Sequence, residues 1–173
     1  MQTWGYDMRH MYGIELNVPA GKLPGFYAQV IHKIGDHVNV FDRDKLLFIV
    51  ENQAEQEKLV TILEKSNMLG DAFSLLLLPS ATTIDQLDDI GFVSQNEHLY
   101  VYADQVAIVT LGAPSHSEDQ WAAKEQLREH VLGVIPENTQ QPEAYLIDQS
   151  LIPLAEGIAK AYQVKLVWLH PTT

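Results

Sequence analysis

Ile14, Leu16 and Val18 alternate with Glu15 and Asn17, a period of two that predicts a β-strand with one face on a core and the other in water. Residues 46–50, 75–78 and 164–169 are nearly continuous apolar runs, the pattern of strands covered on both faces. Other stretches change period. Behind Pro24, Phe26, Val30 and Ile34 recur every fourth residue, widened by Tyr27 and Ile31. Ala123, Leu127 and Val131 do the same behind Ser117, with Glu125, Arg128 and Glu129 off the row. Both read as amphipathic helices packed on something flat. Asn52 with Glu55, Thr83 with Gln86 and Ser117 with Gln120 have the three-residue spacing of a helix N-cap and its reciprocal partner. Pro153 fits only the first turn of a last helix running to about Tyr162, with Ser150 as its cap.

Placed end to end, these elements echo each other: residues 12–68 and 73–132 each read as strand, helix, two strands and helix. The opening strands stop at Pro19 and Pro79, since proline cannot donate to a ladder. The next helices are expected to end at Ile34-Gly35 and Ile90-Gly91, where glycine can take a positive φ. Then come residues 37–41 and 98–102, the turns Asp42-Arg43-Asp44 and Ala103-Asp104-Gln105, and strands 46–50 and 106–111, two apparent hairpins. Residues 53–66 and 118–132 supply the closing helices, and 145–147 and 165–169 the last two strands. The expected fold is α+β: a ferredoxin-like βαββα unit duplicated, with a C-terminal βαβ extension, in a mixed or antiparallel sheet covered by helices. The corresponding division is an N-terminal extension over 1–10, a ferredoxin-like βαββαβ subdomain over 11–79 and a second α+β subdomain over 80–173, or one fused domain over 11–173. Two alternating hairpins can also echo by chance.

At 173 residues the chain can bury a full core. Its 23 acidic against 11 basic residues give a net charge of -12, which repels phosphate backbones and anionic membranes and speaks against nucleic acid as a partner. An acidic surface suits a basic partner protein, or simply keeps the chain soluble. There is no cysteine, hence no disulfide, thiolate nucleophile or thiolate metal site. The apolar runs are strand-sized and no charged N-region opens the chain, so neither a membrane span nor a signal peptide is expected, and a cytoplasmic location is the default.

The opening strand, then Leu23-Pro24-Gly25-Phe26 starting a helix, then Ile34-Gly35 and Val38-Asn39-Val40, resembles the start of the amino-acid-sensing ACT domains over about the first seventy residues. That resemblance implies a βαββαβ fold and a small-ligand site near loop 20–25, with the backbone around Gly21 and Gly25 open to close approach.

Candidate chemistry is otherwise sparse. None of the seven histidines forms a His-x-x-x-His pair, and His32 and His37 are separated by a helix end. His37 and His98 hold equivalent places at strand starts, which suggests a shared structural role. His116 lies between Ser115 and Ser117 with Asp119 nearby, but side chains so close in sequence cannot face one another as a triad requires. Asp85, Asp88 and Asp89 share a helical face, a carboxylate cluster of the kind that holds Mg²⁺ or Ca²⁺ but more often faces solvent. Arg43 is expected to pair with Asp42 and Asp44 beside it. Dinucleotide and phosphate-loop glycine patterns are absent, and no cofactor is implied. No motif fixes the function, and two classes remain. The preferred one is a non-enzymatic binding or regulatory protein, taking a protein partner or a small ligand at the subdomain junction. The alternative is a small hydrolase or metal-assisted enzyme in which His32, His37, Asp42 and Asp44 line one cleft. Homo-oligomers through the first strand's edge fit either class, and residues 133–143 are the candidate mobile binding loop.

Overall fold

A computed structural model of the chain describes residues 8–21, 24–112 and 117–172. The protein is mixed α+β. Its first elements are β1 (Arg9–Leu16), α1 (Pro24–His37), β2 (Asp42–Asp44), β3 (Leu47–Val50), α2 (Gln53–Lys65) and β4 (Leu69–Leu78). A connecting stretch carries β5 (Thr83–Ile84), the single turn α3 (Leu87–Ile90), β6 (Gly91–Val93) and β7 (Leu99–Tyr102). The rest is β8 (Val106–Leu111), α4 (Ser117–Arg128), β9 (Val131–Ile135), β10 (Ala144–Asp148), a 3-10 turn (Gln149–Leu151), α5 (Ile152–Ala161) and β11 (Leu166–His170).

The strands form two sheets, ordered β2-β3-β1-β4-β7-β6 and β11-β8-β10-β9-β5, and every neighbouring pair is antiparallel. Residues 9–78 and 106–170 each run β-α-β-β-α-β. In both, the strands lie side by side in the order second, third, first, fourth. The connecting stretch adds β7 and β6 beyond β4, and β5 beyond β9.

The echo of 12–68 in 73–132 does not match the observed element order. Residues 73–78, read as the opening of a second copy, lie in β4, the strand that closes the first stretch. Residues 99–102 and 106–111 are not a hairpin, because β7 pairs with β4 and β6 while β8 pairs with β10 and β11. The turn 103–105 passes from one sheet to the other. Alternation reports which face of a strand is buried and says nothing of its neighbours. The first strand is no edge either, being flanked by β3 and β4.

Local signals met with mixed outcomes. Asn52 caps α2, its side-chain oxygen accepting from Glu55 N at 2.9 Å, and Pro153 sits in the first turn of α5. Ser150 does not cap; it donates through N and Oγ to the Asp148 carboxylate. Gly35 lies inside α1, and Gly91 opens β6 with extended backbone, so neither ends a helix with a positive φ. Thr83 belongs to a strand rather than a cap. Asp42–Asp44 is strand, and the turn falls on Lys45 (φ 54°) and Leu46. Met8 is fully buried and Arg9 starts β1, so within the expected extension 1–10 these residues already belong to the fold. Residues 1–7, Ser115, His116 and the cap side chain of Ser117 lie outside the described residues. Among the described residues no helix is long and apolar enough to cross a membrane.

Burial explains the layers. Met8, just ahead of β1, and Leu76, Leu78 and Val101 of the first sheet pack on Ile108, Ile135 and Leu146 of the second. Farther along that same face, Ile14, Leu16, Phe48 and Val50 pack under α1 and α2. On the second sheet's other face, Val109, Tyr145 and Ile147 meet Ala123 and Leu127 of α4 and Ala155 of α5. The opposite face of the first sheet has a core of its own: Met11, Ile49, Leu75, Leu77 and Tyr100, with Phe41, Leu47, Phe73, Phe92 and Tyr102 against them. That face is concave. In a flat sheet β2 and β7, four places apart, would be about 19 Å from each other, yet Tyr100 Oη donates to Asp42 Oδ2 at 2.7 Å. The sheet curls around its own aromatic side chains.

Candidate functional site

The curl brings one carboxylate to the centre of a polar cluster. Asp42, 2% exposed, accepts at Oδ1 from Arg43 N and Asn96 Nδ2, both at 2.8 Å. At Oδ2 it accepts from His98 Nδ1 at 2.8 Å and from Tyr100 Oη. The side-chain donors all come from the β6–β7 connection and the strand that follows it. That connection is tightly built: Ser94 N donates to His98 O, Glu97 N to Ser94 O, and His98 N to Ser94 Oγ, and Glu97 takes a positive φ of 65°.

Burial alone would push the Asp42 carboxyl up; hydrogen bonds from Ser94, Tyr100, His98 and the Arg43 amide outweigh it and hold the group at about 2. Tyr100 is driven well above the ordinary phenol range, by burial first and then by its bond to Asp42 and the carboxylate's charge, with Arg9 opposing. Tyr100 is thus a fixed donor and Asp42 a fixed acceptor at neutral pH. In neutral His98 the proton accordingly sits on Nδ1, facing the carboxylate, and Nε2 is left as a bare acceptor.

The imidazole is clamped as well as oriented. It stacks on Phe41 with centroids 5.2 Å apart and meets Tyr100 edge-on at 6.3 Å. The Arg9 guanidinium lies 4.8 Å from the Phe41 ring centre and is ion-paired to Glu51 at 2.9 Å. Although Asp42 is sealed, the His98 side chain is 38% exposed. It opens on a cleft of about 230 Å³ whose walls include Arg9, Phe41, Leu77, Pro79, Glu97 and His98.

Of the residues suggested by sequence, only Asp42 enters this cluster, and its histidine is His98 rather than His32 or His37. His32 is exposed and faces Asp36 at 3.3 Å, His37 lines an open groove between α1 and α2, and Asp44 lies at the far end of β2. Arg43 pairs with neither flanking acid through its side chain: the guanidinium donates to Lys45 O and Tyr27 Oη and lies over Phe48. Asp85 and Asp89 line a depression beside β9, with Asp88 in the turn between them. Among the described residues no three His, Asp or Glu side chains are placed to hold a metal. Gly21 has a φ of +85° and faces open space, as does Gly25 in α1.

Sequence reasoning passed over Ser94, Asn96 and Tyr100. Their signal is a period-two run of hydrogen-bonding side chains, Ser94, Asn96, His98, Tyr100, converging on an acceptor 52–58 residues away. A second depression lies on the other sheet, between α4 and β9–β10, where the 66% exposed Trp121 flanks a space of about 480 Å³ with Arg128, Glu143 and Tyr145. The loop expected over 133–143 begins only after β9 ends at Ile135, and it reaches the adjoining hollow through Glu137 and Pro142. No protein-family model, curated protein or solved structure matches this chain.

Proposed function

We propose that this is a non-enzymatic binding or regulatory protein that takes a small ligand in the Phe41–His98 cleft. One observation carries the reading: the cleft is shared between residue 79 and the chain before it, through Arg9, Phe41, Leu77 and Pro79, and the chain after it, through Ser80, Glu97 and His98. All of these residues lie in the first sheet or the loops beside it, and a concave face with a few convergent polar groups is a common setting for a small ligand. The two β-α-β-β-α-β stretches with equal strand order support a duplicated ferredoxin-like origin, with 79–105 grown in between.

Ser80 is exposed on a turn at the cleft wall, so Ser80→Trp fills the cleft without entering the core. In a thermal-shift screen of metabolites, a true ligand at 100 times its dissociation constant adds about 2.7 kcal/mol, or roughly 5–11 °C for a chain of this size. The Ser80→Trp protein is expected to melt within about 2 °C of the parent and to lose that ligand-induced rise. A rise that survives the substitution places the ligand elsewhere.

The Asp42–His98 pair favours a second reading, a small hydrolase. An imidazole with Nδ1 on a buried carboxylate and Nε2 toward a cleft has the geometry of a general base. Its test is turnover of ester and amide substrates by the whole protein, expected to fall at least about 100-fold in His98→Gln; turnover unchanged by that substitution removes the reading.

A further inference from the structure

We infer that the cleft selects a small apolar molecule presenting an uncharged or cationic hydrogen-bond donor, an amine above all, to Nε2 of His98, and turns anions away. This deepens the binding reading and rests on it.

The polarity of the head group follows from the tautomer. Asp42 can only accept, so neutral His98 must give it the Nδ1 proton. Nε2 then points its lone pair outward, and a ligand carboxylate or phosphate set against it would meet acceptor with acceptor. Charge acts in the same direction. The Asp42 carboxylate is held by neutral donors, the Arg43 amide, Asn96, His98 and Tyr100, so its negative charge is stabilised without being cancelled. The nearest cation on the cleft wall, Arg9, is ion-paired to Glu51. Glu97 adds a further negative charge at the rim, and the chain as a whole carries -12. In a partly desolvated cleft these charges act through a lower effective dielectric than water's.

The apolar part of the ligand follows from the walls. Phe41, Leu77, Leu78, Pro79 and Leu99 contribute hydrophobic surface, and the Phe41 ring already stacks on His98, leaving an aromatic edge beside the acceptor. Size is bounded too. A space of about 230 Å³ equals the liquid volume of roughly eight waters, which suits a ligand of about that many non-hydrogen atoms.

Benzylamine, benzyl alcohol and benzoate share one ring and differ in the head group, and all are of that size. The experiment is NMR on the whole protein at pH about 8, reading the imidazole ¹⁵N shifts of His98 and the amides of Phe41 and Leu99. The expected result is a protonated Nδ1 and bare Nε2, with benzylamine bound at least about tenfold more tightly than benzoate and the alcohol between them. Glu97→Gln, an exposed change outside the Asp42 cluster, should shrink the amine-to-alcohol ratio by about threefold. A proton found on Nε2, or benzoate bound as well as benzylamine, overturns the inference and leaves the binding reading standing. If none of the three probes shifts these resonances at about 20 mM, both fall together.

Discussion

Replacing Asp42 with alanine is expected to cost about 3–5 kcal/mol of stability and to lower the melting temperature by roughly 6–20 °C. The carboxylate is the shared acceptor for Asn96, His98 and Tyr100, and removing it leaves the fully buried Tyr100 hydroxyl without an acceptor while Asn96 and His98, both nearer solvent, lose the bonds that hold the loop. Hydrogen bonds to a charged group are worth about 1.5–3 kcal/mol each, but bonds converging on one group are not additive, which sets the total below their sum. Asp42→Asn keeps the shape and one acceptor oxygen while turning a donor toward donors, and should cost about half as much. The pH dependence has a definite sign. Because the folded-state pKa is about 2 against an ordinary 3.8, Asp42 contributes stability that is fully present above pH 4 and is lost as the pH falls from about 4 toward 2. Urea denaturation of parent and variant at pH 7, 4 and 2 measures both effects: the gap between the two proteins should be wide at pH 7 and narrow at pH 2. A gap below about 1 kcal/mol at pH 7, or one constant with pH, would contradict the role given to the carboxylate.

Gly91→Ala should be the most damaging change of a single methyl group, costing about 2–4 kcal/mol. A Cβ at this position would lie 2.0 Å from Tyr100 O and 2.9 Å from Val101 Cα. Both are backbone atoms, so no rotamer change relieves the contact. The Gly91 backbone is extended, which alanine tolerates; close approach of β6 to β7, not conformation, is what demands glycine. Since β6 leads into the loop carrying Ser94, Asn96 and His98, the displacement should reach the cleft as well. Hydrogen exchange offers the check. Amides of β7 and of the 94–98 loop should lose protection in the variant while those of β9 and β10 keep theirs. Uniform loss across both sheets, or none, would show that the β6–β7 contact does not act locally as described.

How much of this was readable beforehand depends on the range of the interaction. The stripe Phe26, Val30, Ile34 predicted α1, the Asn52–Glu55 spacing predicted the start of α2, and Pro153 marked the first turn of α5; each is decided within one or two helical turns. Strand identity was likewise visible in Leu75–Leu78 and Val106–Leu111. Strand partnership was not, because Leu99–Tyr102 and Val106–Leu111 have all the features of a hairpin and are separated by a turn, yet each finds both its neighbours elsewhere. The same limit hid the polar cluster. Asp42 beside Arg43 reads as a turn, and only the curl of the whole sheet, a property of the sum of its strands, carries that carboxylate to His98.

That distance along the chain has a consequence for the order of assembly. Asn96, His98 and Tyr100 follow Asp42 by 54, 56 and 58 residues, and at ribosomal rates of about 5–20 residues per second they emerge roughly 3 to 12 seconds after it. Strands β3 and β4 are made within that interval, β4 ending at Leu78, yet until it closes the acid on β2 has only water for company and the aromatic hollow behind it has no far wall. Arrival of the 94–100 stretch closes both at once. The nascent chain therefore carries an open concave apolar face until a short polar loop, made after the first four strands, snaps onto a single oxygen pair.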